Sequence, residues 1–385
     1  MRKSFIFTDK GIRFIYLKGQ NPYQIGFEHG KLLKDDIETL IAGVKKFAQD
    51  NYGLFLTSII IKYLFLRSKK LKKKFASDLI EEMKGIADGS EQNLNWVILA
   101  NTIYELVIPF FYFLKLNACS FFIAPCKNSD STIIGKTTDL MEPKFLTNLI
   151  TKLKTVFVYN YQNNKAKYLT LSFPLCLCGP AVIFENGPVI AFNDGGWFEK
   201  INFNNQPIVP FIKEISNKNK TISQIISSFK KSATMKAYAC LLSDGTSKNS
   251  FLIEISKNDY HLESFKKYLI NTNFFRSPKM IKKSYKQNYQ KDIHFKNNLK
   301  RYRNIEKKII RFSGLSNLNE AKEILEIHED TLNIENGSVS NSRTVDSFIY
   351  FPLEKKLLIP NGKTAPVTLT GDWIEFKVNE IFKRN

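Results

Sequence analysis

The sequence predicts an α+β protein, and three observations carry that prediction. Hydrophobic spacing is helical up to about residue 118 and changes to short β-branched and aromatic runs after it. The later strands come in blocks, with the helical stretches gathered between and after them. That order favours antiparallel sheets over a series of parallel βαβ units. The chain has 385 residues, enough to bury a large core. With 43% hydrophobic and 24% charged residues, its balance is that of a globular protein.

The opening "MRKSFIFTDKG" starts basic but meets Asp9 before any useful apolar run. It therefore does not read as a signal peptide, and a cytoplasmic protein is expected. "NPYQIGFEHGKLLKDDIETLIAGVKKFAQDN" follows, with Ile25, Leu32, Leu33, Ile37, Leu40, Ile41, Val44 and Phe47 at helical intervals. Pro22 suits its first turn. "LTSIIIKYLFL" (Leu56–Leu66) is too short to span a bilayer and carries Lys62. It runs into "RSKKLKKK". We read it as a buried helix with a solvated, Lys-rich last turn; the alternative is a weak contact with an anionic membrane surface. "DLIEEMKGIADGS" and "NWVILANTIYELVIPFFYFL" continue the helical pattern.

From Cys119 the runs are strand-like: "CSFFIAP", "STIIGKTTDL", "KTVFVYNY", "KYLTLSF", "AVIFE" and "PVIAFN". Helices are expected around Pro207–Ile215 and Ile222–Lys230, and strands at "AYACLLSD", "NSFLIEIS" and "KKYLINTN". A polar helix near Asn297–Phe312, another near Leu318–His328, and a strand pair at "DSFIYFP" and "KKLLIP" complete the order.

The net charge of +21 is spread along the chain. No nucleic-acid module accompanies it, and the aromatics sit in apolar runs apart from the basic clusters, so nucleic acid is not an expected partner. The five cysteines have no regular spacing and no paired C-x-x-C, so neither zinc nor a disulfide framework is expected. Cys176 and Cys178 are too close for an ordinary bridge.

Several short motifs occur in a definite order: "GFEHGKLLKDDI", "EEMKGIADGSEQNLNWVILANTIYEL", "ACSFF", "GKTTD", "GPVIAFN", "LLSDGTSKNSFLIEIS", "NTNFF", "LKRYR" and "RTVDSFIYFP". In that order they resemble the acyl-coenzyme A:6-aminopenicillanate (isopenicillin N) acyltransferase-like family of N-terminal-nucleophile (Ntn) cysteine hydrolases. More distantly they resemble the bile-salt hydrolase and penicillin V acylase group. The resemblance runs over most of the chain. It implies a four-layer αββα sandwich over 119–385, preceded by a helical segment, 1–118, that stays attached after self-cleavage.

Residue by residue, the resemblance implies that Cys119 attacks the carbonyl of Ala118 and is left as a new N-terminus. The freed α-amino group, with an ordinary pKa of ~7.7–8.0, then serves as the general base. Asp139 would hold that amine, Asn193 and Asn273 would supply amide hydrogen bonds to the developing oxyanion or to the α-amino group, and Arg301 would support the site. On the residues alone, Cys119 is a small buried hydrophobe opening a strand. Asp139, Asn193 and Asn273 are turn residues, and Arg301 lies on the solvated face of a basic helix, with Arg303 competing for its role. Lys136 and Thr137 depart from the polar pair common in that strand, and a lysine lacks the planar fork of an arginine. His29 and Asp88 are read as structural.

The implied reaction needs no cofactor and passes an acyl group through a cysteinyl thioester. Its substrate would be a small acyl amide or an acyl thioester. The alternatives are a lipid amidase of the ceramide or N-acylethanolamine type, or a degenerate Ntn scaffold binding anionic membrane surfaces. The sequence leaves the oligomeric state open.

Overall fold

The computed structural model describes residues 3–107, 119–127, 129–140, 144–161, 166–195, 201–257, 259–284, 288–329, 332 and 337–384. Ala118, on the amino side of the expected cleavage site, lies outside the described residues.

The first departure from expectation comes at once. Residues ahead of 118 are not wholly helical: β1 (Phe5–Asp9) and β2 (Ile12–Gly19) form a hairpin. The two-residue turn places Lys10 and Gly11 at φ 48° and 81°, the left-handed pair such hairpins use. Along β2, Phe14 and Tyr16 face one core while Ile15 and Leu17 face another, so the strand is buried on both sides. A strand apolar on both faces lacks the alternation that would reveal it.

Helix α1 (Pro22–Leu32) begins where Asn21 accepts a hydrogen bond from the Gln24 amide at 2.9 Å. After it, α2 (Lys34–Leu71) breaks at Gly53, whose φ of 73° is non-helical. Helices α1 and α3 (Ser77–Gly89) cross backbone to backbone. A Cβ on Gly26 would stand 1.9 Å from the Glu82 carbonyl oxygen, and one on Gly85 would stand 2.1 Å from that of Tyr23. Gly30 and Gly89, four residues further along each helix, meet the Ile86 and Phe27 carbonyls in the same way, so the two spaced pairs serve one contact.

The remaining strands are β3 (Ser120–Pro125), β4 (Thr132–Asp139), β5 (Thr155–Tyr161), β6 (Tyr168–Ser172), β7 (Ala181–Phe184) and β8 (Val189–Asp194). They are followed by β9 (Tyr238–Ser243), β10 (Ser250–Ile255), β11 (Tyr260–Ser264) and β12 (Leu269–Asn271). Last come β13 (Thr344–Phe351), β14 (Lys356–Pro360) and β15 (Trp373–Lys377). They make a nine-stranded sheet ordered β1-β2-β5-β6-β7-β8-β9-β10-β11 and a six-stranded sheet ordered β12-β3-β4-β13-β14-β15. Among the described residues, every pairing between these strands is antiparallel except β2 with β5.

Three apolar clusters stack these elements into layers. The first joins Leu33, Ile37, Leu79, Met83 and Ile212 of the helices to Phe157, Tyr159 and Phe184 on the outer face of the larger sheet. The second fills the space between the sheets, where Phe14, Val158 and Leu241 meet Phe121, Ile134 and Phe348. The third seats Ile305, Ile309 and Ile324 on Phe122, Ile270 and Ile349 of the smaller sheet. The order is helix, sheet, sheet, helix, the α+β sandwich expected.

Among the described residues, no helix is long and apolar enough to cross a membrane. The apolar run at Leu56–Leu66 is nevertheless not the fully buried helix expected. Leu64 and Ser68 face the core, while Leu56, Ile59, Tyr63 and Leu66 are exposed.

Candidate active site

Cys119 stands immediately before β3 and is 5% exposed. Register brings β4 beside it, since Ser120 pairs with Thr137. The Thr137 hydroxyl accepts from the Ser120 amide at 3.2 Å. The Cys119 thiol therefore meets the end of β4, with Sγ 3.9 Å from the backbone oxygen of Asp139.

Asp139 is buried there, its Oδ2 accepting from Asn341 Nδ2 at 2.8 Å. Oδ1 makes no hydrogen bond among the described residues. Burial pushes this carboxyl up to about 6, against the pull of Arg301, Asn341 and Thr344 toward the ionised form.

Arg301 lies on the inward face of the helix Ile293–Phe312 and is fully buried. Its Nη1 donates to the Cys119 carbonyl at 3.0 Å and to Ser120 Oγ at 2.9 Å. Its Nη2 donates to Asn298 Oδ1 at 2.6 Å and to Asn273 Oδ1 at 3.2 Å. This planar fork bridges the start of β3, the turn that follows β12 and its own helix, a task a lysine could not perform. Burial lowers its pKa to about 10, where it remains a cation at neutral pH. The competing Arg303 is exposed, beside a 430 Å³ depression with Lys300, Asn304, Lys307 and Glu329 on the solvent side of the same helix.

Asn273 adopts φ 68°, a left-handed conformation that asparagine tolerates. That turn aims its Nδ2 at the Asp194 carbonyl, 3.0 Å away. Asn193, near the end of β8, faces the space between the sheets, while its neighbours Phe192 and Asp194 face the other way. Its Nδ2 donates to the Asn271 carbonyl at 3.2 Å, and its Oδ1 accepts from Lys136 Nζ at 2.6 Å.

Cys119, Asp139, Asn193, Asn273 and Arg301 are thus gathered where the two sheets meet, although they are distant in sequence. Ala118 cannot be placed with them, since it lies outside the described residues.

Lys136 belongs to the same group, and the sequence reading treated it only as a departure. It is buried, and besides Asn193 it donates to the Phe192 carbonyl at 3.0 Å. Burial lowers its pKa. The signal was present, because Lys136 falls two residues after Ile134 and so shares its inward face. Asn271 and Asn298 were also missed. Asn298 could have been found by period, since it lies three before Arg301 on a helix; Asn271 could not, because it ends β12 and Asn273 lies in the left-handed turn beyond it.

Burial pushes the Cys119 thiol up, while Lys136 and Arg301 favour its thiolate and the Asp139 charge opposes it. A nucleophile here needs a base. Among the described residues no histidine bonds to it; His29 lies beneath the helices of the opposite face, its ring tilted against that of Phe157 with centroids 4.9 Å apart. Asp88 accepts from the Tyr23 hydroxyl at 2.9 Å at the surface.

No family model matches the chain, and no curated protein matches it. Among solved structures, it is similar to the Caenorhabditis elegans N-acylethanolamine-hydrolyzing acid amidase (NAAA) ortholog, with 14% identity and a TM-score of 0.46 over 61% of this chain and 93% of that one. It is also similar to a variant of conjugated bile acid hydrolase from Clostridium perfringens, with 10% identity and a TM-score of 0.44 over 68% of this chain and 93% of that one.

Proposed function

We propose that the chain is a self-processing cysteine amidohydrolase of the N-terminal-nucleophile type, acting on the amide bond of a small acyl amide. The observation that carries this reading is the unpartnered Oδ1 of buried Asp139, at the strand end that the Cys119 thiol touches. A buried carboxylate oxygen without a donor is costly, and an α-ammonium on Cys119 would supply one.

In maturation, Cys119 Sγ forms a bond to the carbonyl carbon of Ala118 as the peptide C–N bond breaks. The thiol proton ends on the Cys119 nitrogen. Water then cleaves the thioester, releasing the Ala118 carboxylate and restoring the thiol. The chain becomes 1–118 and 119–385. In turnover the new amine takes the thiol proton, and the thiolate attacks the substrate carbonyl. Asn193 and Asn273 donate to the developing oxyanion, and each such donor is worth ~10²–10³ in rate. The ammonium returns its proton to the departing amine, and water hydrolyses the acyl thioester. Arg301 fixes the Cys119 main chain throughout.

Intact mass and N-terminal sequencing of the purified chain test this. The expected result is a fragment beginning at Cys119 and its complement ending at Ala118, with Cys119→Ala uncut and inactive on acyl amides. An uncut wild-type chain, or hydrolysis unchanged by Cys119→Ala, would overturn the proposal.

A further inference from the structure

The break at Gly53 starts a helical arm that presents a graded face to solvent. Leu54 and Phe55 are 70% and 78% exposed, and Leu56, Ile59, Tyr63 and Leu66 lie between 46% and 55%. Phe55, Ile59, Tyr63 and Leu66 follow one another at three- and four-residue steps, forming a single stripe. Lys62 flanks the stripe midway, and Lys69 and Lys70 follow its end, all exposed. Apolar groups occupy the tip and ammonium groups the far end, roughly 22 Å along the axis at ~1.5 Å per residue. No acidic residue occurs between Leu54 and Ala76, while Lys62, Arg67, Lys69, Lys70, Lys72, Lys73 and Lys74 all fall there.

The arm is firmly seated. Leu64, Ser68 and Leu71 are buried beneath it, Phe65 meets Trp96 edge to face at 5.0 Å, and Arg67 stacks on Phe203 at 4.3 Å. The exposed apolar face is therefore held outward by the core. A large apolar tip on a rigid support calls for an occupant.

We propose that this arm docks on an anionic lipid bilayer surface. Leu54, Phe55 and Ile59 enter the headgroup–acyl boundary, and the lysines meet the lipid phosphates. The gradient along the axis favours a bilayer over a protein groove. Apolar groups and flexible cations arranged by depth match the layered chemistry of an interface, and their stems can lie along the apolar zone while the charges reach outward.

Vesicle flotation of the full chain tests this, and Cys119→Ala serves as a parallel sample because it keeps the arm whatever the fate of the catalytic proposal. Vesicles are phosphatidylcholine alone or an equimolar mixture with phosphatidylglycerol. Both chains are expected to bind the anionic vesicles roughly tenfold or more above the neutral ones, with the difference shrinking at high salt. Phe55→Glu/Ile59→Glu should lose roughly tenfold or more of the anionic binding, and Lys69→Glu/Lys70→Glu should remove the preference for anionic lipid. No binding to either vesicle would overturn the inference. So would equal binding by the Phe55→Glu/Ile59→Glu chain, or a wild-type dimer in light scattering that those substitutions dissociate without any lipid binding.

Discussion

Two buried polar clusters lie on opposite faces of the larger sheet, and they differ in how their charges balance. Around Lys213, beneath α1 and α3, the charges cancel. Its Nζ is 2.9 Å from Glu82 Oε1 and 3.2 Å from the ring centre of Tyr159. Tyr161 donates to the other Glu82 oxygen at 3.1 Å, and Tyr168 donates to Asn217 at 2.7 Å. Around Cys119 the balance is different. Two cations, Lys136 and Arg301, face one carboxylate, Asp139, and that carboxylate keeps an oxygen without a donor. Burial of charge by itself does not mark a reactive site, because both clusters are equally dry. What separates them is the charge balance beside a nucleophile: the Lys213 side also keeps unpartnered atoms, the two ring nitrogens of His29, but its charges are matched, whereas cations outnumber the carboxylate beside the Cys119 thiol.

The comparison can be broken most sharply at Arg301. Arg301→Met is expected to abolish release of the fragment beginning at Cys119, as read by intact mass, whereas Lys213→Met should cut normally in its folded fraction. Normal cutting by Arg301→Met would put both clusters in the same structural class. A smaller effect sharpens the other side. Glu82→Leu leaves Lys213 buried without its anion and should lower the unfolding free energy in urea by ~3–5 kcal/mol. The double variant Glu82→Leu/Lys213→Met should regain most of that loss.

At neutral pH the smallest effect concerns His29, whose two ring nitrogens make no hydrogen bond among the described residues and whose contribution changes only as the pH is lowered. Burial, aided by the Lys213 charge, lowers its pKa to about 3. The unfolded histidine takes up a proton near pH ~6.5, whereas the folded one resists until far lower pH. Its contribution to stability is therefore complete above ~6.5 and is lost as pH falls toward about 3, by up to ~1.4 kcal/mol per pH unit. His29→Leu should flatten that slope in urea midpoints taken at stepped pH. An unchanged slope would remove His29 from the account.

Much of this was legible in the sequence where a period was clean. The strands from Cys119 to Asn193 and the helices near Ile222 and Ile305 fall where their spacing placed them. The misses have physical causes. β2 is apolar on both faces and so did not alternate, while "YHLES" of β11 is a half-buried sheet edge with little apolar signal. "WIEFK" of β15 packs by only part of one face. At the site, Arg301 could have been separated from Arg303 by period alone, since Ile305 and Ile309 continue its buried face at four-residue steps. Nothing local foretold the Asp194–Lys236 ion pair or Glu105, which accepts from the Ile208 amide at 2.8 Å and is pushed up to about 7 by burial. Those contacts exist only once distant segments have met.

The one parallel pairing between named strands among the described residues, β2 with β5, runs from Phe14 opposite Val156 to Gly19 opposite Tyr161. Scission after residue 118 would consequently yield a noncovalent heterodimer stitched by a continuous backbone ladder. The shorter piece would act as a built-in complementing strand for the longer one. Its escape would strip an inner strand of its neighbour and open two hydrophobic cores together, so the two pieces should travel as one particle until the whole molecule unfolds.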